Sequence, residues 1–237
     1  MKNDLFITKL LTAAKDAGID PAEVVYAEGS SFEATCMKTD IDAYNVSDTC
    51  MLGLRGVWGG RMGYASTQAF DDAAIAQLIT GVKEGAELNE SAEQEEIYRG
   101  DAHYPTLDQW SDGLEAVTPE AKLEACKAFA GATLTATPKV TETSGVVVGT
   151  EASALRLCNS YGLNLSVRSN LCMGYVNAVA RDEGSTASSG EVCCGRDFSA
   201  LGLNAAGRKA ALDAEANLHG QSVPTGEYSV ILRNDAM

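Results

Sequence analysis

Apolar positions recur along the chain with two different periods. Over residues 3–17 the spacing is helical: Leu5, Ile7, Leu10, Leu11 and Ala14 form one stripe, Asn3 stands at the N-cap position and Gly18 at the stop. After Pro21 the period shortens to two. The runs AEVVYAE (22–28), SFEATCMK (31–38), DIDAYNV (40–46) and TCMLGLRGVW (49–58) read as separate β segments, set apart by Gly, Ser and Asp. Gly59-Gly60 then offers two positions for φ > 0, so the run to Trp58 and the run from Arg61 to Ser66 are expected to form a two-residue hairpin. Asp71 or Asp72 caps the next helix, whose Ile75, Leu78, Ile79 and Val82 return at helical spacing.

From Glu84 to Glu115 the periodicity lapses. Ten acidic residues and a single basic one, Arg99, occupy this window, which reads as a solvated connector with room for a short helix. Thr118-Pro119 opens another helix, with Leu123, Cys126, Phe129, Ala130 and Leu134 on its stripe and Pro138 at its end. Further β runs follow: VTETSGVVVG (140–149), ALRLCNS (154–160), a long run over 163–181, and SSGEVCCGR (188–196). Asp182-Glu183-Gly184-Ser185 is a turn signal that pairs the last two antiparallel. A further clear helix spans 205–218 between Asn204 as cap and Gly220 as stop, and GEYSVIL (226–232) begins a strand. That strand, with Tyr228, Val230 and Leu232 on one side, has little chain after it to pair with. The sequence therefore reads as the front part of a longer protein.

The expected fold class is α+β: two mixed domains of mainly antiparallel sheet with packed helices. The divisions fall at 1–88 for an N-terminal domain, 89–117 for the acidic connector, 118–222 for a second domain and 223–237 for the start of a truncated C-terminal one.

Composition narrows the function classes. Hydrophobic residues at 45% and charged ones at 22% describe an ordinary globular chain. A net charge of −15, with basic residues single and dispersed, speaks against nucleic acid and anionic lipid as partners. No apolar run reaches about 18 residues, and the first residues carry scattered charges with no cleavage site, so a cytoplasmic, non-membrane protein is expected. Seven cysteines without C-x-x-C read as reduced thiols; of Cys193 and Cys194, one should face the core and the other solvent.

Candidate chemistry is sparse. His103 and His219 are the only histidines; the first lies in the acidic connector and the second at a helix end, where an imidazole serves the helix dipole. No H-E-x-x-H, zinc-knuckle spacing or G-x-S-x-G elbow is present, so no catalytic residue, metal ligand or cofactor is assigned to this chain. The carboxylate pairs Asp40/Asp42 and Asp71/Asp72 have local explanations as strand-edge charges and helix caps. The glycine-dense run 53–63 matches no phosphate-binding pattern and is better read as a turn.

The run Gly53-x-Arg55, Gly60-Arg61-x-Gly63-x-Ala65-x-Thr67 resembles the most recognisable stretch of the TldD/PmbA family, metallopeptidases once named modulators of DNA gyrase. Asn159-Ser160-Tyr161-Gly162, the long β run to Ala180, the Asp-Glu-Gly turn and Arg196-Asp197-Phe198 extend the resemblance over nearly the whole chain. For Gly53, Arg55, Gly60, Arg61, Gly63, Ala65, Thr67, Asn159, Ser160 and Gly162 it implies structural roles. It also implies a third domain in which the TldD branch carries an H-E-x-x-x-H zinc helix that the PmbA (TldE) branch lacks. Asn159-Ser-x-Gly and Asn234-Asp235 look PmbA-like. The resemblance thus implies a TldE-like subunit of a cytosolic metallopeptidase complex acting on unfolded or precursor peptides. Zinc would come from a TldD-like partner, and this chain would supply cavity walls and an interface, with that partner or with a second copy of itself. A non-enzymatic protein-binding regulator is the alternative class.

Overall fold

The structure, a computed structural model, describes residues 3–90 and 95–232. Its elements are α1 (Asp4–Asp16), β1 (Ala22–Met37), β2 (Asp40–Trp58), β3 (Arg61–Thr67), α2 (Asp72–Leu88), α3 (Asp112–Glu115), α4 (Pro119–Leu134), β4 (Val140–Asn159), β5 (Asn164–Asp182), β6 (Ser185–Gly195) and α5 (Leu203–Ala216). The strands form one six-stranded sheet in the order β3-β2-β1-β4-β5-β6. Every neighbouring pair is antiparallel. The α+β class holds. The antiparallel sheet expected for two domains is one continuous sheet, because β1 pairs with β2 on one side and β4 on the other and so joins both halves.

The four β segments read between 22 and 58 are two strands, of 16 and 19 residues. Two separate cores explain the misreading. Val24 and Tyr26 pack with α1 and α2, on Phe6, Leu10, Leu54, Leu78 and Val82. Phe32 and Ala34 pack with α4 and α5, on Phe129, Val148, Val176 and Ala210. All four β1 residues have the same parity, so both cores lie on one face of the sheet. Between them Glu28, Ser30 and Ser31 are exposed and need no apolar side chain.

Local signals hold at several ends and fail at others. Asp71 accepts from the Ala74 N–H and Thr118 from that of Ala121, both as expected. At the end of α1 the Gly18 N–H donates to Lys15 and that of Ile19 to Ala14, a closure that needs the positive φ of Gly18. Asn3 does not cap α1: its backbone is left-handed and its Nδ2 donates to the Tyr26 hydroxyl at 3.2 Å. Leu5 is 71% exposed, and Phe6 takes its place in the core. The fifth helix starts after Gly202, so Asn204 lies inside its first turn, and it ends at Asn217, not Gly220. Helix α4 ends at Thr135, before Pro138. Tyr228, Val230 and Leu232 form no strand and are exposed; Asn234 and Asp235 lie outside the described residues. No helix among the described residues is long and apolar enough to cross a membrane.

Both tight turns adopt the expected geometry. Gly59 and Gly60 have φ of 60° and 79°, and Glu183 and Gly184 have φ of 44° and 82°. A Cβ at Gly60 meets nothing within 4 Å, so only backbone strain opposes a side chain there. Gly60→Val should therefore lower stability by about 1–2 kcal/mol, measured by thermal denaturation.

Candidate functional site

The sequence motif on β2 and β3 converges on one end of β1. Glu23, only 2% exposed although charged, stands opposite Arg55 on β2 and opposite Asn159 on β4. Its Oε1 accepts from Arg55 Nε at 2.8 Å and lies 2.6 Å from Nη2. Its Oε2 is buried and has no hydrogen-bond partner among the described residues. A cavity of about 330 Å³ opens beside this pair, lined by Glu23, Val25, Gly53, Arg55, Tyr64 and Ala65 among others. At its mouth the Tyr64 hydroxyl donates to Glu95, and that hydrogen bond, with burial, pushes the phenol above its usual range.

The second motif docks on the same strand. Ser160 exchanges hydrogen bonds with Ala22: its Oγ accepts from the Ala22 N–H at 3.1 Å and its N–H donates to the Ala22 carbonyl at 2.8 Å. Asn159 Oδ1 accepts from the Tyr161 and Leu163 N–H groups, its Nδ2 donates to the Tyr98 carbonyl, and Gly162 supplies a φ of 93°. Gly53, Arg55, Ala65, Asn159 and Ser160 are thus gathered around Ala22 and Glu23. Gly60 and Arg61 sit at the hairpin tip, where Arg61 Nη1 reaches the Glu87 carbonyl at 3.4 Å. Gly63 lies under α2, and Thr67 closes a local turn with Ala69. Glu23, which organises this site, was not singled out in the sequence. The available signal was a carboxylate inside the apolar run Ala22-Glu23-Val24-Val25.

A larger groove of about 870 Å³ separates the two helix layers on the other face. Its walls include Tyr26, Phe70, Trp110 and Arg168, and Glu28 and Asp48 lie along it. Tyr26 donates to Glu28 Oε2 at 2.6 Å; burial first, and this bond second, push its phenol up. The Arg168 guanidinium lies 4.5 Å from the centre of the Trp110 ring. The connector forms this wall because Asn170 grips it, accepting from the Ser111 N–H and donating to the Ser111 carbonyl. At an adjoining hollow Lys122 donates to Thr150 Oγ1 at 2.8 Å and lies 5.0 Å from the Phe32 ring; burial lowers its pKa.

A zinc centre does not fit here. Among the described residues no group of three or more His, Cys, Asp or Glu side chains is placed to hold a metal. His103 is exposed, and His219 sits past the end of α5 with its Nε2 3.5 Å from Asp182. Cys193 packs toward the small core of Leu114, Cys172 and Leu201, while Cys194 is exposed, as strand alternation requires. Burial pushes the Cys36, Cys126, Cys172 and Cys193 thiols up, which makes them poor nucleophiles.

Residues 22–86 match domain 1 of the PmbA/TldA metallopeptidases, and residues 112–218 match their central domain. No curated protein matches the sequence. Three solved structures share the fold. A candidate modulator of a DNA gyrase from Thermotoga maritima superposes with a TM-score of 0.83 at 18% identity, over 94% of this chain and 50% of that one. A candidate modulator of DNA gyrase from Bacteroides thetaiotaomicron gives 0.82 at 20% identity, over 96% and 52%. TldE from Thermococcus kodakarensis gives 0.77 at 17% identity, over 89% and 47%. The chain spans about half the length of these proteins.

Proposed function

Since the chain belongs to the PmbA/TldD metallopeptidase family, we propose that it acts as a TldE-like subunit, which holds peptide while a TldD-like partner supplies the metal. The observation that carries this reading is the match of residues 22–86 and 112–218 to the first and central domains of a metallopeptidase family. The likeness in fold to TldE and the Asn159-Ser-x-Gly run support the choice of branch.

Two features suit an extended peptide. The groove between the helix layers has aromatic walls and a floor of small residues, Gly29, Ser30 and Ala152 among them. The sheet ends at β6, an unbulged strand of 11 residues with no Lys or Pro, the residues that usually block pairing at an edge. An edge of this kind accepts main-chain hydrogen bonds whatever the side chains of the guest. The gyrase-modulator description of two relatives points instead to a regulator. A charge of −15 disfavours DNA contact in that role and leaves protein contact open.

The test mixes this chain with a TldD-like subunit and follows hydrolysis of an unfolded peptide, with and without chelator. Chelator-sensitive hydrolysis by the mixture, with zinc confined to the partner, is the expected result. Tightly held stoichiometric zinc and peptidase activity in the 237-residue chain alone would overturn the subunit role. Cross-linking with an extended photoreactive peptide tests the holding role, and adducts confined to the partner would remove it.

A further inference from the structure

Three glycines of the β2–β3 hairpin differ in what their missing side chains serve. A Cβ at Gly56 falls 2.3 Å from Ile19 Cγ2, and one at Gly63 falls 1.8 Å from the Val82 carbonyl oxygen, so the fold itself needs both. Gly53 is different. Its φ is not positive, its register with Val25 and Ser66 is regular, and a Cβ there meets nothing nearer than the Ala65 oxygen at 4.0 Å. A mid-strand glycine weakens a sheet relative to alanine and often marks a close approach by a ligand or another backbone. Here the space above it is the 330 Å³ cavity beside Glu23 and Arg55.

A second observation points to an occupant. Glu23 Oε2 is buried without a donor among the described residues, an arrangement that is costly for a charged group. Arg55 satisfies Oε1 through Nε and Nη2, and its side chain remains 33% exposed. An occupant must therefore bring an N–H toward Glu23, an acceptor toward Arg55, and a small apolar body to sit on Val25 and over Gly53. The ion pair is neutral overall, so a free carboxylate would meet Glu23 and a free ammonium would meet Arg55 with like charge. A carboxamide places a donor and an acceptor side by side without net charge. We propose that this cavity is a binding site for a residue-sized neutral carboxamide, such as one peptide unit bearing a small aliphatic side chain. Its volume lies at the small end of ligand pockets, about 300–1,000 Å³. It is also independent of the groove, since Glu23 and Val25 have the opposite parity to the helix-facing Val24.

The test titrates N-acetylvalinamide into the ¹⁵N-labelled 237-residue chain. Saturable shifts are expected at the amides of Gly53, Arg55, Tyr64 and Ala65 and not on β6. Gly53→Val should weaken binding by at least about tenfold while the melting temperature is kept or raised, because a β-branched residue fills the space in a strand. Gly53→Ala, whose Cβ makes only an ordinary 4.0 Å contact with the Ala65 oxygen, serves as a milder filling variant with an intermediate loss. N-acetylvaline and valinamide, each charged at one end, should bind at least about threefold more weakly. An acetylated and amidated pentapeptide with a central valine separates sources: tighter binding than the single residue indicates a docked chain, equal binding a free small molecule. Absence of saturable shifts, or full affinity in Gly53→Val, or equal affinity for the charged analogues, would overturn the proposal.

Discussion

Gly63→Ala is expected to destabilise the protein by about 3 kcal/mol, the upper end for forcing volume into a packed site. The added Cβ would lie 1.8 Å from the Val82 oxygen, 2.8 Å from the Val82 carbonyl carbon and 2.9 Å from the Ala86 nitrogen. All three are backbone atoms of α2, so no side-chain rotation relieves the overlap and the helix must lift from β3. Glycines on α2 deepen the same contact. A Cβ at Gly81 would stand 3.0 Å from Ala65 Cβ, and one at Gly85 would stand 3.4 Å from the Tyr64 nitrogen. Val82, a member of the first core, and Ala86, also buried, are held in place by this approach. For a domain of this size the loss corresponds to a fall in melting temperature of about 6–12 °C. A variant melting within about 2 °C of the native chain would refute the close-approach role.

The comparison of Gly63 with Gly53 also shows what the sequence could and could not convey. Both glycines belong to one recognisable stretch, and nothing local separates the one that α2 presses on from the one that leaves a cavity open. The helices were legible because their signals are local: Asp71 and Thr118 cap within three residues, and Gly18 closes α1 over five. The hairpin turns were legible for the same reason. Strand length was not, because Glu28 to Ser31 bridge two cores without entering either, and a polar interval there resembles a loop. The single sheet was not legible either. It depends on β1 meeting β4 more than a hundred residues later, a pairing that no local periodicity encodes. Asn3 failed as a cap for a similar reason, since its amide is claimed by Tyr26, 23 residues on. At the candidate site the motif supplied Gly53, Arg55 and Ala65. Glu23 escaped notice because only the pairing of β1 with β2 gives a carboxylate there its partner and its burial.

That pairing makes Arg55→Ala the most damaging single change expected at the site. Among the described residues the guanidinium is the only counter-charge at Glu23, whose side chain is 3% exposed. Removing it leaves a buried carboxylate with neither oxygen partnered, a situation that destabilises proteins by about 3–5 kcal/mol. Arg55 is one-third exposed, so water entering the vacated space softens the loss and places it near the lower end of that range. The reverse change is milder. Glu23→Ala frees an arginine that already reaches solvent, and it also removes the unpartnered Oε2, so a loss of about 1–2 kcal/mol is expected. Replacing both at once, Glu23→Leu with Arg55→Met, exchanges an ion pair for apolar contacts next to Val25, and it should recover most of the stability lost in Arg55→Ala. Urea denaturation of the two single variants and the double variant provides the comparison. If Glu23→Ala proves as damaging as Arg55→Ala, the pair holds the sheet through packing and its charge asymmetry plays no part. If the double variant falls below both, the ion pair itself fixes the register of β1 between β2 and β4.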